Sequence, residues 1–313
     1  MSAPTLTGMN QRTTGSRSNT GRRRLNRRRS VTAYLFLAPA LLVLSIFVIW
    51  PVLRSSWVAL TDDSGFGNAD FIGFENFTTV FTDPRFGNAL SNTLVYTLGT
   101  VPASVGIALV LAIILNQRLP FRGFFRATIF LPFIASLGII SIAWSYMLDP
   151  QIGFIAAWVS ELGLPFGNGI RDPALAMPAV ILVGIWRNVG FFMVMYLAGL
   201  QSIPADVKEA ATLDGAGPVR NFTSVTWPLL SNTTMFVSII AVIFALQAFD
   251  QIFVMTSGGP FFRTETLVML IFKTGIEQFE IGYASTMSWV LVALVLVISL
   301  LQIRFFQKRA VQY

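Results

Sequence analysis

Residues 201–228 read QSIPADVKEAATLDGAGPVRNFTSVTWP, a long and well-patterned polar segment between two apolar stretches. Pro204 favours a helix start, because a proline in the first turn gives up an N–H that has no partner there. Residues 205–213 are rich in helix-forming side chains. Gly215 tolerates the positive φ at which helices often end, and Pro218 can begin another helix. The segment therefore predicts two short helices joined by a tight turn.

The stretches on either side of this segment are apolar enough to cross a membrane. Of the 313 residues 54% are hydrophobic and 12% are charged, whereas about a quarter of a soluble domain is charged. A helix that crosses the hydrocarbon core needs ~20 mostly apolar residues. We therefore predict an all-α integral membrane protein with a transmembrane domain of residues 31–308. Its six predicted spans cover residues 31–53, 88–115, 127–148, 174–200, 231–255 and 282–303.

The distribution of positive charge predicts the orientation of these spans. Eight arginines precede the first span, and residues 1–30 are expected to form a disordered, Arg-rich leader. With the N-terminus inside, sixteen Lys and Arg residues lie in cytoplasmic segments and four lie outside. The positive-inside rule thus predicts that both termini and residues 201–228 are cytoplasmic. This explains the basic leader more simply than nucleic-acid binding does. The outer segments 61–87 and 149–173 are expected to be surface loops with room for a short helix on the membrane.

The residue types that the chain lacks exclude several kinds of chemistry. The sequence contains no Cys and no His, which excludes a disulfide framework, a Ser-His-Asp triad and a His-ligated zinc site. It also contains no G-x-x-x-x-G-K-[ST] phosphate loop for ATP. We therefore predict no catalytic residue, no metal site and no cofactor within this chain.

One cytoplasmic motif carries a family resemblance. Glu209-Ala210-Ala211 is followed by Gly215 and, further on, by Val225, Trp227 and Pro228. This spacing resembles the EAA motif, E-A-A-x3-G-x9-I-x-L-P, of the permeases of binding-protein-dependent ABC importers. Valine replaces isoleucine and tryptophan replaces leucine, so only apolar packing differs. FIGFENF at residues 71–77 and TSGGP at residues 256–260 also resemble the carbohydrate branch of that family, and the resemblance covers residues 34–308.

The resemblance implies the partners of the chain. It implies a second, homologous permease subunit, two ATPase subunits that bind ATP and magnesium, an extracytoplasmic solute-binding protein, and a place in the lipid of the bacterial inner membrane. The segment 201–228 would be the coupling loop that seats in the ATPase. Glu209 offers a carboxylate to a basic partner, and Ala210 and Ala211 are small enough for close contact. Asp214 and Gly215 form the turn. The alternative is an ordinary loop helix with a glycine cap.

Polar side chains within the spans predict a solute path. Intramembrane charges are costly and usually face a polar interior, and the resemblance places the solute contacts of sugar permeases in spans four and five. Amide, guanidinium and aromatic groups suit sugar hydroxyls and sugar faces. The interpretation assumes that Gln247 and Gln251, spaced i and i+4, share one helix face. The candidate residues are Arg187, Asn188, Phe191, Gln247 and Gln251, with Trp144 as a weaker addition and Asp250 as either structural or path-lining.

Several alternatives stay open at this point. The solute could be a mono- or oligosaccharide or a glycerol phosphate, because Arg187 could meet an anion. Arg187 and Asp250 could instead pair with each other or with the partner permease. A secondary transporter driven by an ion gradient would use Asp250 as its only intramembrane carboxylate. A membrane-bound enzyme is a third possibility, which the absence of His and Cys disfavours.

Overall fold

The computed structural model describes residues 34–67, 69–163 and 169–307. The leader predicted at residues 1–30 lies outside this part of the chain. The chain divides into two compact units, Met1–Ser55 and Ser56–Tyr313. In the first unit the described residues are helical throughout, and in the second they form helices and connecting loops. The described residues contain no β-strand, only one isolated antiparallel bridge between Thr61 and Phe71, so the all-α prediction is confirmed.

The helices of the described residues are numbered here in chain order. They are α1 Tyr34–Val58, α2 Glu75–Thr82, α3 Pro84–Leu115, α4 Arg122–Ile134, α5 Leu137–Met147, α6 Phe154–Glu161, α7 Ala176–Gln201, α8 Ala205–Leu213, α9 Pro218–Leu229, α10 Ser231–Leu246, α11 Asp250–Thr256, α12 Leu267–Phe272 and α13 Ile281–Gln307.

Four of these helices are long and apolar enough to cross a bilayer without a break: α1, α3, α7 and α13. They coincide with the predicted spans one, two, four and six. Helix α7 matches its predicted bounds within two residues, whereas α1 ends five residues later than predicted and α3 and α13 are longer than predicted. The 32-residue α3 illustrates why. Asp83 caps its start by accepting a hydrogen bond from the Arg85 amide at 2.7 Å, and Pro84 occupies its first turn, so the helix begins before the apolar run does.

The third predicted span is divided rather than continuous. In place of one helix over residues 127–148, α4 and α5 meet at a 95° bend. Pro132 lies in the last turn of α4, and a proline removes a helical hydrogen bond and crowds the preceding turn. Ala135 is extended, with φ −67° and ψ 150°. The bent pair still has the composition of a single broken span.

The fifth predicted span is also divided. Helix α10 enters at a 65° bend from α9 and ends at Leu246, whereas residues 231–255 were predicted to be one helix. Phe249 leaves the helical region, with φ −136° and ψ −63°. The carbonyl of Ala248 accepts a hydrogen bond from Thr266 Oγ1 at 3.2 Å, which compensates for part of the helical bonding that is lost. Asp250 then begins α11.

The predicted helix–turn–helix at residues 201–228 is confirmed as a local structure. Gly215 has a φ of +79°, the left-handed conformation expected at the end of α8. The amide of Ala216 donates to the Ala211 carbonyl at 3.0 Å, and the amide of Gly215 donates to the Thr212 carbonyl at 3.0 Å. This pair of bonds is a Schellman motif. Pro218 starts α9 as predicted.

The two predicted outer loops each contain a short helix. Helix α2 lies in the segment 61–87 and α6 lies in the segment 149–173. The presence of a helix in each loop matches the prediction, and its position on the membrane surface stays a prediction.

The core of the second unit is centred on α3 and α7. These helices share a cluster of buried side chains with α10, among them Ala108, Phe192, Tyr196 and Val237. Two further clusters join α3 to α12 and α13, and to α11. Helix α7 is the most enclosed of the four long helices, with 56% of its most apolar window buried. The predicted solute residues of span four therefore lie on a helix that has protein around much of its surface.

Helix α4 approaches α7 closely at Gly190. A Cβ atom at Gly190 would collide with the backbone carbonyl of Ile129 in α4. Backbone atoms cannot turn aside as a flexible side chain can, so the close crossing requires glycine at this position.

We predict that Gly190→Ala will destabilise the protein by about 1 to 3 kcal/mol, because α4 must move away from α7. Thermal unfolding of the purified full chain in detergent measures this. Gly106→Ala in α3 is the matched control, since a Cβ there would meet no atom within 4 Å. Equal unfolding midpoints for both variants would contradict the close approach.

Candidate functional site

A polar cavity of about 350 Å³ lies where the broken helices face α7. Its walls come from α3, from the α4–α5 bend, from α7 and from the break between α10 and α11. Five of the predicted path residues line it: Arg187, Asn188, Gln247, Asp250 and Gln251. The structure thus brings together side chains from two separate predicted spans. We call this space the Arg187 cavity.

The guanidinium group of Arg187 is held by its own helix and by an aromatic ring. Its Nη1 donates to Asn188 Oδ1 at 3.1 Å, and its Cζ lies 4.9 Å from the ring centroid of Phe133. Its buried Nε has no hydrogen-bond partner in the structure. Among the described residues, no ion pair within 4 Å joins Arg187 to Asp250. Arg187 therefore retains donor capacity beside the cavity.

The residues at the α10–α11 break do not share a helix face as predicted. The helix ends at Leu246, so the i, i+4 relation of Gln247 and Gln251 does not hold. Gln247 is exposed, whereas Gln251 is buried and its Nε2 donates to the hydroxyl of Tyr96. Asp250 is exposed in the first turn of α11, where the helix dipole favours a negative charge. The break still presents all three side chains to the cavity.

The aromatic ring predicted to contact the solute, Phe191, does not line the cavity. Phe191 stacks on Phe133 with centroids 4.3 Å apart and planes 12° apart. Because Arg187 covers Phe133 as well, Phe133 has little free face for a solute. Phe244 lines the cavity and is 36% exposed, so it is the better candidate.

Trp144 does not line the cavity either. Its ring meets Trp186 edge-on, with centroids 5.4 Å apart, and it packs against a buried cluster that includes Tyr96 and Met177. Sequence reasoning missed Tyr96, Phe133, Phe244 and Phe249 as lining residues. Pro132 could have indicated the bend that brings Phe133 to the cavity, whereas no local signal marks the other three.

The loop of residues 257–266 stabilises the break between α10 and α11 by hydrogen bonding. Thr266 bonds to Ala248 at the break, as described above, and the amide of Leu267 donates to Thr93 Oγ1 in α3 at 2.9 Å. Asn92 Nδ2 donates to the Glu265 carbonyl at 3.0 Å. The cavity wall is therefore tied to α3 through a set of buried and partly buried hydrogen bonds.

Glu265 anchors this loop with two cations. Its fully buried carboxylate accepts two hydrogen bonds from Arg85, each at 2.9 Å, and one from Lys273 at 3.1 Å. Burial acts to raise the pKa of Glu265, but the hydrogen bonds and charges of Arg85 and Lys273 outweigh it, and the net pKa lies below the ordinary value. The charged carboxylate is thus the favoured form in the folded protein.

We predict that Glu265→Gln will lower stability by roughly 2 to 3 kcal/mol, less than the loss of a fully buried pair, because the Arg85 side chain is 32% exposed. The measurement is thermal unfolding of the purified chain. Folding lowers the pKa of Glu265. The ionised carboxylate therefore contributes fully to the free energy of unfolding above about pH 4.3, and this contribution is lost as the pH falls through the folded-state pKa.

Two controls accompany this substitution. The variant should lose less stability than the wild type on acidification. Asp149→Asn, which breaks the more exposed pair with Arg171, should change stability far less than Glu265→Gln does. Equal losses for the Glu265 and Asp149 variants would contradict the anchoring role.

The helix pair α8–α9 presents a second candidate surface. Glu209, Ala210, Asp214 and Gly215 are exposed, as the coupling interpretation requires. Ala211 is not: only 9% of its surface is accessible, because it faces the rest of its own chain. Its small size serves packing within the chain, and the expectation that it also seats against a partner stays a prediction.

The exposed surface of the helix pair also contains apolar side chains that the motif does not include. Leu213 is 88% exposed and Val219 is 77% exposed. Apolar side chains beside an exposed carboxylate are typical of a protein–protein contact. Their exposure follows from the Schellman turn, which leaves the end of α8 and the start of α9 uncovered.

Comparisons with known proteins agree with the fold and the motif. A family model described as the inner membrane component of binding-protein-dependent transport systems matches residues 81–310. A sulfoquinovosyl glycerol transport permease of Agrobacterium fabrum is 34% identical over 280 residues, which cover 88% of this chain and 91% of the relative. A lactose transport permease of Rhizobium radiobacter is 35% identical over 291 residues, covering 91% of this chain and 97% of the relative.

A further relative and a solved structure extend this picture. An sn-glycerol-3-phosphate transport permease of Agrobacterium fabrum is 29% identical over 281 residues, covering 89% of this chain and 96% of the relative. A crystal structure of a bacterial alginate ABC transporter, in complex with a periplasmic protein that holds an alginate pentasaccharide, contains a chain with the same fold. That chain matches with a TM-score of 0.78 at 23% identity, over 90% of this chain and 96% of its own length.

The family match covers well over half of the chain and includes the EAA-like segment and every residue of the Arg187 cavity. It identifies the chain as a transport component rather than an enzyme, and nothing in the comparisons favours a transporter driven by an ion gradient. The resemblance read from the motif is thereby confirmed: this chain belongs to the family of inner membrane permease components of binding-protein-dependent ABC transport systems.

Proposed function

We propose that the chain is a permease subunit that imports a carbohydrate, and that the solute passes through the Arg187 cavity. The single observation that carries this proposal is the convergence of Arg187, Asn188 and Gln247 on one cavity inside a bundle of membrane helices. The names of relatives support the solute class, because they refer to a sulfoquinovosyl glycerol and to lactose.

The chemistry of the cavity suits a polyhydroxylated solute. Sugar hydroxyls both donate and accept hydrogen bonds; Arg187 donates, Asp250 accepts, and the amide of Gln247 does both. The exposed ring of Phe244 can pack against the apolar face of a sugar. A relative's name also refers to sn-glycerol-3-phosphate. We favour a sugar over a phosphate ester because the exposed carboxylate of Asp250 lines the same cavity as Arg187 and would repel a dianion.

We further propose that α8 couples the chain to a separate ATPase subunit that binds ATP and magnesium. Glu209 and Leu213 are exposed on this helix, which offers a carboxylate and an apolar side chain to a cleft. The helix pair would lie on the cytoplasmic side, as the positive-inside rule predicts. A second permease subunit would cover the open side of the Arg187 cavity, and a solute-binding protein would deliver the solute from outside.

This arrangement accounts for import by alternating access. When the ATPase closes on ATP, it moves α8 and α9, and the membrane helices rotate as rigid bodies around the solute cavity. A single residue separates the end of α9 from the start of α10, and α10 ends at the break that lines the cavity. Helix α10 therefore connects the helix pair to the cavity from one side, as α7, which carries Arg187 and ends just before α8, does from the other.

We predict that Glu209→Lys will reduce co-purification of the ATPase and solute uptake by at least about tenfold, because it places a cation where a buried charge pair is expected. Glu75→Lys, at an exposed acid in α2, is the matched control and should retain uptake. Normal uptake by the Glu209 variant, with equal amounts of chain in the membrane, would exclude the coupling role.

We predict that Arg187→Gln will raise the half-saturating solute concentration by about tenfold or more, as expected for a lost charge-assisted hydrogen bond. The measurement is uptake by the reconstituted importer, with the solute that its binding protein retains. Trp144→Phe is the control and should leave this value unchanged, because Trp144 does not line the cavity. A larger rise in the half-saturating solute concentration for Trp144→Phe than for Arg187→Gln would refute the cavity assignment.

A further inference from the structure

The connection between α3 and α4 forms a second chemical surface, which the transport proposal does not use. We call residues 116–126 the elbow. Helix α3 has 32 residues, or ~48 Å at 1.5 Å per residue, and therefore exceeds the ~30 Å hydrocarbon core. Its apolar run ends at Leu115 and α4 begins at Arg122. The elbow therefore lies at the boundary between hydrocarbon and water.

The elbow exposes aromatic rings next to arginines. Phe121 is 81% exposed, Phe124 is 67% exposed and Phe125 is 48% exposed. Arg118 and Arg122 are exposed beside them. Aromatic side chains are favoured at the membrane interface, and a guanidinium group matches the geometry of a phosphate through paired hydrogen bonds. The arginines thus suit the phosphate of a phospholipid headgroup, and the aromatic rings suit the boundary between headgroups and acyl chains.

The charge of the elbow is not neutralised within the described chain. The sequence contains no Asp or Glu between Asp83 and Asp149. Among the described residues, no ion pair within 4 Å reaches Arg118 or Arg122. Two exposed cations without a carboxylate partner attract an anion from outside the chain.

The elbow is also held in a fixed shape. Arg126 Nη2 donates to the Leu115 carbonyl at 2.9 Å, which ties the second turn of α4 to the last turn of α3. Phe121 adopts a left-handed φ of 55°, an uncommon conformation for a bulky side chain. The amide of Phe125 donates to the Phe121 carbonyl at 3.2 Å. The rings and the arginines are therefore presented on a rigid turn.

We infer that the elbow binds the headgroup of an anionic phospholipid of the surrounding bilayer. Arg118 and Arg122 would hold the phosphate, and Phe121 and Phe124 would enter the boundary between headgroups and acyl chains. The site lies at the first turn of α4, whose far end reaches the Arg187 cavity through Phe133. The inference does not depend on which solute the chain transports.

Native mass spectrometry of the purified full chain tests this site. The chain is offered equimolar phosphatidylglycerol and phosphatidylcholine with the same acyl chains. The wild type should retain phosphatidylglycerol preferentially. In the double variant Arg118→Gln/Arg122→Gln this preference should fall by about fivefold for each arginine that is replaced. Arg263→Gln, at an exposed arginine of the 257–266 loop, is the matched control and should keep the preference. Equal retention of both lipids by the wild type, or an unchanged preference in the double variant, overturns the proposal.

A depth measurement gives a second readout that does not depend on removing the arginines. The chain has no cysteine, and a Cβ at Gly123 would meet no atom within 4 Å, so Gly123→Cys can carry a nitroxide label. In phosphatidylglycerol vesicles the label should lie at the level of the headgroup–acyl boundary. A label fully accessible to aqueous relaxation agents, or one at the centre of the bilayer, contradicts the site.

Discussion

A backbone amide or carbonyl without a partner costs several kcal/mol in hydrocarbon, and this constraint governs where the chain can depart from a helix. The two interruptions at membrane depth both lie against protein or at a cavity. The α10–α11 break has the Ala248 carbonyl bonded to Thr266, and the α4–α5 bend lies next to the same cavity through Phe133 and Leu137. The polar site therefore lies where irregular backbone can be tolerated.

The placement of the breaks also explains how the cavity relates to the helix pair. Helix α10 is 16 residues long and has the cavity at one end and the bend from α9 at the other. Helix α7 carries Arg187 and ends close to the start of α8. A movement of α8 and α9 would thus reach the cavity through α7 and α10, while the Glu265 network holds the far side of the break against α3.

The sequence predicted the features that depend on composition and local spacing. The apolar runs predicted the long helices, and Pro204, Gly215 and Pro218 predicted the helix pair and its turn, because proline and glycine act within a few residues. The motif also predicted the family. These features need no knowledge of distant contacts.

The features that the sequence did not predict depend on contacts between distant segments. The break at Gln247 is stabilised by Thr266, and Gln251 is buried by its bond to Tyr96, 155 residues away. Phe191 was predicted to face the solute, but it stacks on Phe133 from another helix. Ala211 belongs to the motif but is buried by its own chain. Each outcome depends on which partner a side chain meets, and spacing along one segment does not determine that.

The proposed coupling requires that α8 lie on the inner side of the membrane and contact a separate ATPase. Ala210 is exposed on this helix, and the chain contains no cysteine, so Ala210→Cys provides a single reactive thiol. Labelling with a membrane-impermeant maleimide should occur in inverted vesicles and not in intact cells, and co-assembled ATPase should slow it. Labelling in intact cells, at the rate seen in inverted vesicles, would contradict the account.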